Sequence, residues 1–259
     1  MAGYAKTPLC EAILMDDPQE SYEMVKALLE AGEDPNQPDE WIEFTRPVYV
    51  AWGEEIEDAK NGFVKLLIDY GAQAHPKDQQ LDVICICHAP IESTLLIFRL
   101  GHSFNEYITK WGSESLCEDN PLTYLLNQDR LDLVEALKPF DLMCLLNAFN
   151  SLGLTPLAEM ARDGKIDKAQ WLLDQRADVN AQCERWVGDT ALDEAVSVQN
   201  ADMVRVLIDA GANPNIPTCM SVTAAMRAEI ELKEHKTPKT KEIAKLVAEA
   251  SKRFPVQSD

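Results

Sequence analysis

The chain has 259 residues, 46% of them hydrophobic, and a formal net charge of −20. Its apolar runs all fall short of the ~18 residues that span a membrane. A field of this sign also disfavours binding to nucleic acid or to an anionic membrane surface. Residues 1–220 hold 38 acidic and 16 basic residues, whereas residues 221–259 hold 6 and 8. This charge predicts attraction of a basic partner, with solubility alone as the alternative interpretation.

The first residues, MAGYAKTPLCEAILMDD, contain no basic segment followed by an apolar stretch. We therefore expect no signal peptide. The seven cysteines are odd in number and scattered without the spacing of a disulfide framework. We therefore expect free thiols in a reducing compartment, which predicts a cytoplasmic localisation.

Two short repeats of helical pattern open the chain. The first begins at Thr7-Pro8-Leu9, because threonine caps a helix with its side chain and proline suits the first helical position. Its second helix is predicted at about residues 21–31. The next repeat begins at Arg46-Pro47-Val48 and has its second helix at about 61–70. We expect the acidic residues inserted between the helices to be solvated: Asp16, Asp17, Glu20, Glu54, Glu55, Glu57 and Asp58.

The middle of the chain follows the pattern less closely. Residues 81–87, LDVICIC, have the composition of a strand, but the 35-residue step from Arg46 favours a helix. A second helix is predicted at 91–100 and a long connection at 102–119. The fourth repeat starts at Asn120-Pro121-Leu122 and lacks a closing glycine. We therefore expect a distorted connection or an extra helical turn after about residue 137.

The last repeats are the most regular. Their first helices start at Thr155-Pro156-Leu157 and at Thr190, and their second helices lead into WLLDQRADVN and VLIDAGANPN. A final helix pair is predicted at 221–231 and 240–253. Its Lys- and Glu-rich composition is typical of a terminal repeat with one solvated face.

The stretch 201–215, ADMVRVLIDAGANPN, shows the repeated unit in full. Apolar residues at helical spacing are followed by Gly211, which favours a left-handed C-cap, and by a Pro-containing turn. Related sequences occur at 24–36, 63–75 and 168–180. With the Thr-Pro-Leu starts, this chain resembles the ankyrin-repeat family, whose period is ~33 residues.

The resemblance implies an all-α solenoid of helix-turn-helix repeats in a single domain covering residues 1–259. In each repeat a first, inner helix is followed by a second, outer helix and by an extended segment, the finger. We place six repeats at about 5–40, 41–79, 80–110, 116–150, 151–186 and 187–219, and a C-terminal capping pair at 220–254.

Sites for chemistry are sparse in the sequence. Cys85, Cys87 and His88 could ligate zinc, but a second pair at matching spacing is missing, and buried thiols are the simpler interpretation. The other histidines, His75, His102 and His235, fall in different repeats. Motifs for a nucleophile, a phosphate loop or a zinc protease are not found. We predict no enzyme activity, no metal and no cofactor.

The resemblance implies that fingers and inner-helix ends line a concave face that binds a protein partner. Three of the five tryptophans fall in fingers, and tryptophan is enriched at binding hot spots. The alternative is that each tryptophan packs its own finger against a neighbour. The predicted partner-binding residues are Trp41, Glu43, Thr45, Trp111, Glu114, Glu118, Asp119, Leu152, Leu154, Arg162, Asp163, Glu184, Trp186, Asp189 and Val198.

These observations predict a protein-protein interaction module that is a monomer on its own and binds neither nucleic acid nor membrane. By analogy with ankyrin-like proteins in toxin–immunity pairs, the preferred interpretation is a bacterial immunity protein or antitoxin that occludes a basic toxin. The alternatives are a cytosolic scaffold or adaptor for an endogenous partner, and a host-directed ankyrin effector.

Overall fold

The structure, a computed structural model, describes residues 6–39, 45–55, 62–73, 83–111, 114–117, 120–183, 189–218 and 221–254. These ranges contain fourteen α-helices and two short strands. The helices are α1 (Pro8–Ile13), α2 (Pro18–Glu30), α3 (Pro47–Glu54), α4 (Phe63–Asp69), α5 (Val83–His88), α6 (Ile91–Arg99), α7 (Pro121–Asn127), α8 (Leu131–Leu137), α9 (Pro156–Arg162), α10 (Ile166–Asp174), α11 (Ala191–Ser197), α12 (Ala201–Asp209), α13 (Ala224–His235) and α14 (Pro238–Ser251). The strands are β1 (Thr109–Trp111) and β2 (Glu114–Leu116).

Threonine caps begin four of the inner helices, α1, α9, α11 and α13. The Thr7 side chain accepts a hydrogen bond from the Cys10 N–H at 3.3 Å, and Thr155 accepts one from Ala158 at the same distance. Thr190 at the start of α11 and Thr223 at the start of α13 do the same. Each cap satisfies a backbone donor that the first helical turn leaves without a partner.

Left-handed residues end the outer helices. Gly32, Gly71 and Gly211 have φ angles of 95°, 96° and 95°. In α12, this conformation lets the Ala212 N–H donate to the Leu207 carbonyl at 2.9 Å. Such a closing turn satisfies a carbonyl at the helix end and directs the chain into the finger.

The chain divides into two compact subdomains. The N-terminal subdomain comprises Met1–Glu106 and Gln128–Asp141, and the C-terminal subdomain comprises Tyr107–Asn127 and Leu142–Asp259. The division passes through the fourth predicted repeat, because α7 belongs to the second subdomain and α8 to the first.

The N-terminal subdomain is a succession of packed helices. The inner helix α1 packs on α2 and α3, α3 packs on α4, and α4, α6 and α8 follow one another. Its core includes the fully buried Trp52, Phe63 and Phe98. Phe98 stacks on Phe104 with ring centroids 4.7 Å apart.

The C-terminal subdomain repeats the arrangement with more regular pairs. The inner helix α9 packs between α7 and α11, and α11 packs in turn against α13. The outer helices α10, α12 and α14 pack side by side. The apolar face of α12 is buried through Met203, Val204, Leu207 and Ile208.

Asparagines tie each finger to the next repeat. In the N-terminal subdomain, the Asn36 amide donates to the Gly71 carbonyl at 3.0 Å and accepts from the Gln73 N–H at 2.8 Å. In the C-terminal subdomain, the Asn180 amide donates to the Gly211 carbonyl at 3.3 Å and accepts from the Asn213 N–H at 2.7 Å. The paired bonds fix the spacing between consecutive helix pairs.

The less regular middle repeats agree with the helical interpretation. The segment α5 is a helix, although its sequence is rich in β-branched residues. The end of the fourth repeat forms two 3₁₀ turns, Lys138–Phe140 and Leu142–Leu145, in place of a glycine turn. The long connection adds a feature that the sequence did not suggest, the antiparallel pair β1–β2 with Lys110 opposite Ser115.

The prediction that the inserted acids are solvated is wrong for Glu55. This side chain is fully buried, and its carboxylate accepts hydrogen bonds from the Val64 N–H, at 3.0 Å, and from the Ser93 hydroxyl. Because α4 begins at Gly62 without a side-chain cap, Glu55 supplies the missing acceptor.

Candidate functional site

A rigid turn presents Leu152 at the finger before α9. The Asn150 carboxamide oxygen accepts from the Leu152 and Leu154 N–H groups at 2.9 and 3.0 Å, and its nitrogen donates to Glu159 at 2.8 Å. The Asn150 N–H also donates to the Leu154 carbonyl at 2.9 Å. These bonds hold the tip in one conformation, with Gly153 at a φ of 74°.

The two predicted leucines of this finger have opposite environments. Leu152 is 60% exposed, whereas Leu154 is 4% exposed and belongs to the core. The Leu154 side chain is therefore not available to a partner in this structure. Because hydrogen bonds already hold the backbone of this turn, binding through Leu152 costs little backbone entropy, so Leu152 suits an interface.

Charged side chains surround the end of α9. Arg162 lies 3.8 Å from both Glu159 and Asp163, and Lys165 lies 3.6 Å from Asp163. Burial raises the pKa of Glu159, and the Arg162 charge opposes this rise. On α11, burial and then the Asp189 charge raise the pKa of Glu194. The Arg162 charge opposes this rise. The predicted residues Arg162 and Asp163 thus lie in a partly exposed charged surface.

Three exposed apolar side chains follow on the next inner helices. Val198, a predicted residue, is 44% exposed at the end of α11. Met226 and Ile230 on α13 are 52% and 44% exposed. The Gln199 amide donates to the Glu231 carboxylate at 2.7 Å, which places the end of α11 beside this part of α13.

Sequence reasoning missed Met226 and Ile230. The Lys- and Glu-rich composition of the capping pair predicts a polar, solvated face for α13. The positive charge of this pair is concentrated on α14 and the residues after it: Lys239, Lys241, Lys245, Lys252 and Arg253. The signal available in the sequence was the i, i+4 spacing of two apolar residues in an otherwise polar helix.

We call Leu152, Arg162, Asp163, Val198, Met226 and Ile230 the finger surface. All six residues belong to the C-terminal subdomain. They combine exposed apolar groups with partly exposed charges, which is the composition of a protein interface rather than of a catalytic cleft.

Two predicted residues have roles within the chain. The Asp189 carboxylate accepts a hydrogen bond from Arg227 of α13 at 2.9 Å, so it is already paired inside the protein. Thr45 forms an isolated β-bridge with Asp39, whose N–H donates to the Thr45 carbonyl at 2.8 Å. Asp39 in turn is buried and accepts from the Thr7 backbone at 2.7 Å.

The remaining predicted residues are described in part or not at all. The backbones of Trp111 and Glu114 face each other across the β1–β2 hairpin. Six residues lie outside the described ranges: Trp41, Glu43, Glu118, Asp119, Glu184 and Trp186.

The cysteines of the inner helices α1 and α5 are buried or lie outside the described side chains. Burial raises the pKa of the Cys10 thiol to about 11, so a thiolate is scarce at neutral pH. Cys87 is buried while His88 is exposed, and the Cys85 side chain lies outside the described residues. Within those residues, three or more His, Cys, Asp or Glu side chains are nowhere grouped as metal ligands would be.

Of the described helices, none combines the length and apolar composition needed to cross a bilayer.

Comparisons with known proteins agree with the geometry. A family model described as "Ankyrin repeats (3 copies)" matches residues 124–218, and a second, "Ankyrin repeat", matches residues 6–40. Together they cover about half of the chain. No curated protein matches the chain significantly.

Two solved structures share the fold. The ankyrin repeat domain of Bcl-3, described as a unique member of the IkappaB protein family, has a TM-score of 0.62 at 17% identity and covers 95% of this chain and 100% of its own. The human ASB11 ankyrin repeat domain has a TM-score of 0.60 at 18% identity, with 93% and 98% coverage. At these identities the likeness shows the fold, and it agrees with the family models: the chain belongs to the ankyrin-repeat family, whose repeats are protein-protein interaction modules and are in general not enzymes.

Proposed function

We propose that this protein acts in the cytoplasm by binding one basic protein partner through the finger surface. The observation that carries the proposal is the rigidly held, 60% exposed Leu152 at the tip of a finger. A side chain of this kind can fill a partner's apolar pocket and act as a hot spot. Trp186, in the following finger of the sequence, remains the hot spot that the sequence favours first.

The charge of the chain supports a basic partner. A net charge of −20 steers basic surfaces towards the protein. A partner that must be bound completely and quickly, such as a basic toxin, fits this property well. The preferred specific function is therefore that of an immunity protein or antitoxin that occludes a toxin. A scaffold or adaptor for an endogenous partner, or a host-directed effector, is the alternative.

The first experiment tests the finger surface. Partners are captured with the unmodified protein, with Leu152→Ser and with Met24→Ser, and affinities are measured with the purified partner. Met24 is a matched control, since it is an exposed apolar residue on the outer helix α2. We expect Leu152→Ser to weaken binding by ~2 kcal/mol or more, through faster dissociation, and Met24→Ser to bind normally. Equal binding by all three proteins would exclude Leu152 from the interface.

The second experiment separates the specific functions. The captured partner is expressed in cells with and without this protein. Toxicity that is relieved by co-expression supports the immunity function, and its relief should depend on Leu152. A non-toxic partner would favour the adaptor, and an acidic partner would contradict the argument from charge.

A further inference from the structure

A buried carboxylate lies where two helix pairs of the C-terminal subdomain meet. Asp193 is the third residue of α11 and is fully buried. In the repeats before it, the residue three positions after the capping threonine is Ala158 or Cys10, both small and buried. Of the capping threonines Thr7, Thr155 and Thr190, only Thr190 is followed at this position by a carboxylate.

Local hydrogen bonds satisfy only one oxygen of this carboxylate. The Thr190 hydroxyl and N–H donate to Asp193 Oδ2 at 2.7 and 3.3 Å, and the Asp193 N–H donates back to the Thr190 hydroxyl at 3.2 Å. Asp193 Oδ1 is buried and accepts no hydrogen bond from the described residues. A charged carboxylate in this state keeps much of its desolvation penalty.

The facing cation comes from the last helix pair. Arg227 of α13 donates through Nη2 to Asp189 Oδ2 at 2.9 Å. Its Nε is buried, has no hydrogen-bond partner among the residues that the structure describes, and lies 3.9 Å from Asp193 Oδ1. One arginine thus serves two carboxylates, and it bonds directly to Asp189 only.

Other charges around Asp193 do not complete its neutralisation. Asp189 repels it, and Glu194 is its neighbour on α11. The α9 helix contributes Arg162, whose positive charge lowers the pKa of Glu194. On the adjacent α12, Arg205 bonds Asp202 at 2.8 Å on the exposed side. Burial, the largest cause, raises the pKa of Asp193 to about 6, while the Thr190 hydrogen bonds and Arg227 oppose the rise.

We propose that Asp189, Asp193 and Arg227 form a proton-sensitive clasp between α11 and α13, which is looser at neutral pH than in mild acid. At neutral pH the clasp contains two carboxylates and one arginine. After Asp193 takes up a proton, the Asp189–Arg227 pair remains and the buried uncompensated charge is gone. This inference does not depend on the proposed partner.

The clasp also bears on the preceding finger. Asp189 directly follows residues 184–188, the segment that carries Trp186. Arg227 therefore positions Asp189, the first described residue after this segment.

The sign of the pH effect follows from linkage. An acid whose pKa is higher in the folded protein than its unfolded value favours folding as pH falls, and this contribution is lost as pH rises through the folded pKa. Because the pKa is about 6 in the folded protein and 3.8 for an ordinary aspartate, the opening equilibrium changes roughly tenfold between pH 7.5 and 5.

Native-state hydrogen exchange tests the clasp. Amides of α11 and α13 are measured at pH 7.5 and 5, with correction for their intrinsic exchange rates. We expect about tenfold more protection at pH 5 than at pH 7.5. In Asp193→Asn, which keeps an acceptor for Thr190, this gain should be lost. Asp202→Asn, the matched control at an exposed acid, should keep it.

A direct titration keeps the test independent of folding of the variants. Carbon-13 NMR of the Asp193 carboxyl in the unmodified protein should show a midpoint near pH 6, and Arg227→Met should raise it. A midpoint near pH 4, or an unchanged pH response in folded Asp193→Asn, would overturn the proposal.

Discussion

At the scale of single residues, the ends of the outer helices show how the same backbone tolerates different side chains. Gly211 after α12 has a φ of 95°, and Arg176 occupies the same place after α10 with a φ of 70°. Both turns close alike: the Ala177 N–H donates to the Leu172 carbonyl at 3.0 Å, as Ala212 does to Leu207. A left-handed conformation costs an L-residue roughly 1–2 kcal/mol, so Arg176 is held there by the surrounding repeat.

This comparison predicts a stabilising substitution. Arg176→Gly should raise the free energy of unfolding by roughly 0.5–1 kcal/mol, because relief of the left-handed strain exceeds the entropy cost of glycine. The reverse change, Gly211→Arg, is the matched control and should lower it, since the space around a Cβ at Gly211 is open and only the backbone is strained. Urea unfolding of both variants measures the difference, and equal stabilities would contradict the argument.

At the scale of elements, each helix is stabilised by its cap and by one apolar face. Asn200 caps α12 by accepting from the Met203 N–H at 3.1 Å. The apolar face of α12 is buried because the helix packs between α10 and α14 and against α11. Neither contribution alone is enough for a helix of nine residues, since isolated helices of this length are unstable in water.

A substitution at Leu207 tests how much burial of α12 contributes to the free energy of unfolding. It is fully buried on α12, so Leu207→Ala should lower the free energy of unfolding by ~2–5 kcal/mol through lost apolar contacts and a residual cavity. Ile230→Ala removes a half-exposed apolar side chain from α13 and should cost less than ~1 kcal/mol. Chemical denaturation followed by circular dichroism compares the two. A loss of similar size at both positions would show that burial in α12 does not dominate its stability.

At the scale of the whole molecule, the net charge is the property that supports the proposed basic partner. The acidic residues are spread over residues 1–220, while residues 221–259 are slightly basic. Long-range attraction depends on the summed field more than on any one contact, and salt screens it over about 10 Å at 0.1 M.

The proposed steering can be measured once a partner is purified. Its association rate should fall by tenfold or more between about 0.05 and 0.5 M salt, with a smaller change in the dissociation rate. Stopped-flow fluorescence gives both rates. An association rate that is independent of salt would mean that the charge serves solubility.

Much of the fold could be predicted because its signals are local. Thr7, Thr155 and Thr190 act on amides three residues away, and Gly211 acts through its own φ. Helix starts, helix ends and the order of the pairs therefore follow from short stretches of sequence. The irregular end of the fourth repeat was foreseen for the same reason, since the missing glycine is visible in the sequence.

What only the tertiary structure decided is the environment of individual side chains. Glu55 reads as a solvated acid but is buried, because Ser93, 38 residues further on, donates to it. Asp189 reads as free for a partner but pairs with Arg227, also 38 residues away. Leu152 and Leu154 look alike in sequence, yet one is exposed and the other buried. Local chemistry sets the backbone, whereas burial and charge pairing depend on which distant residues the folded chain brings into contact.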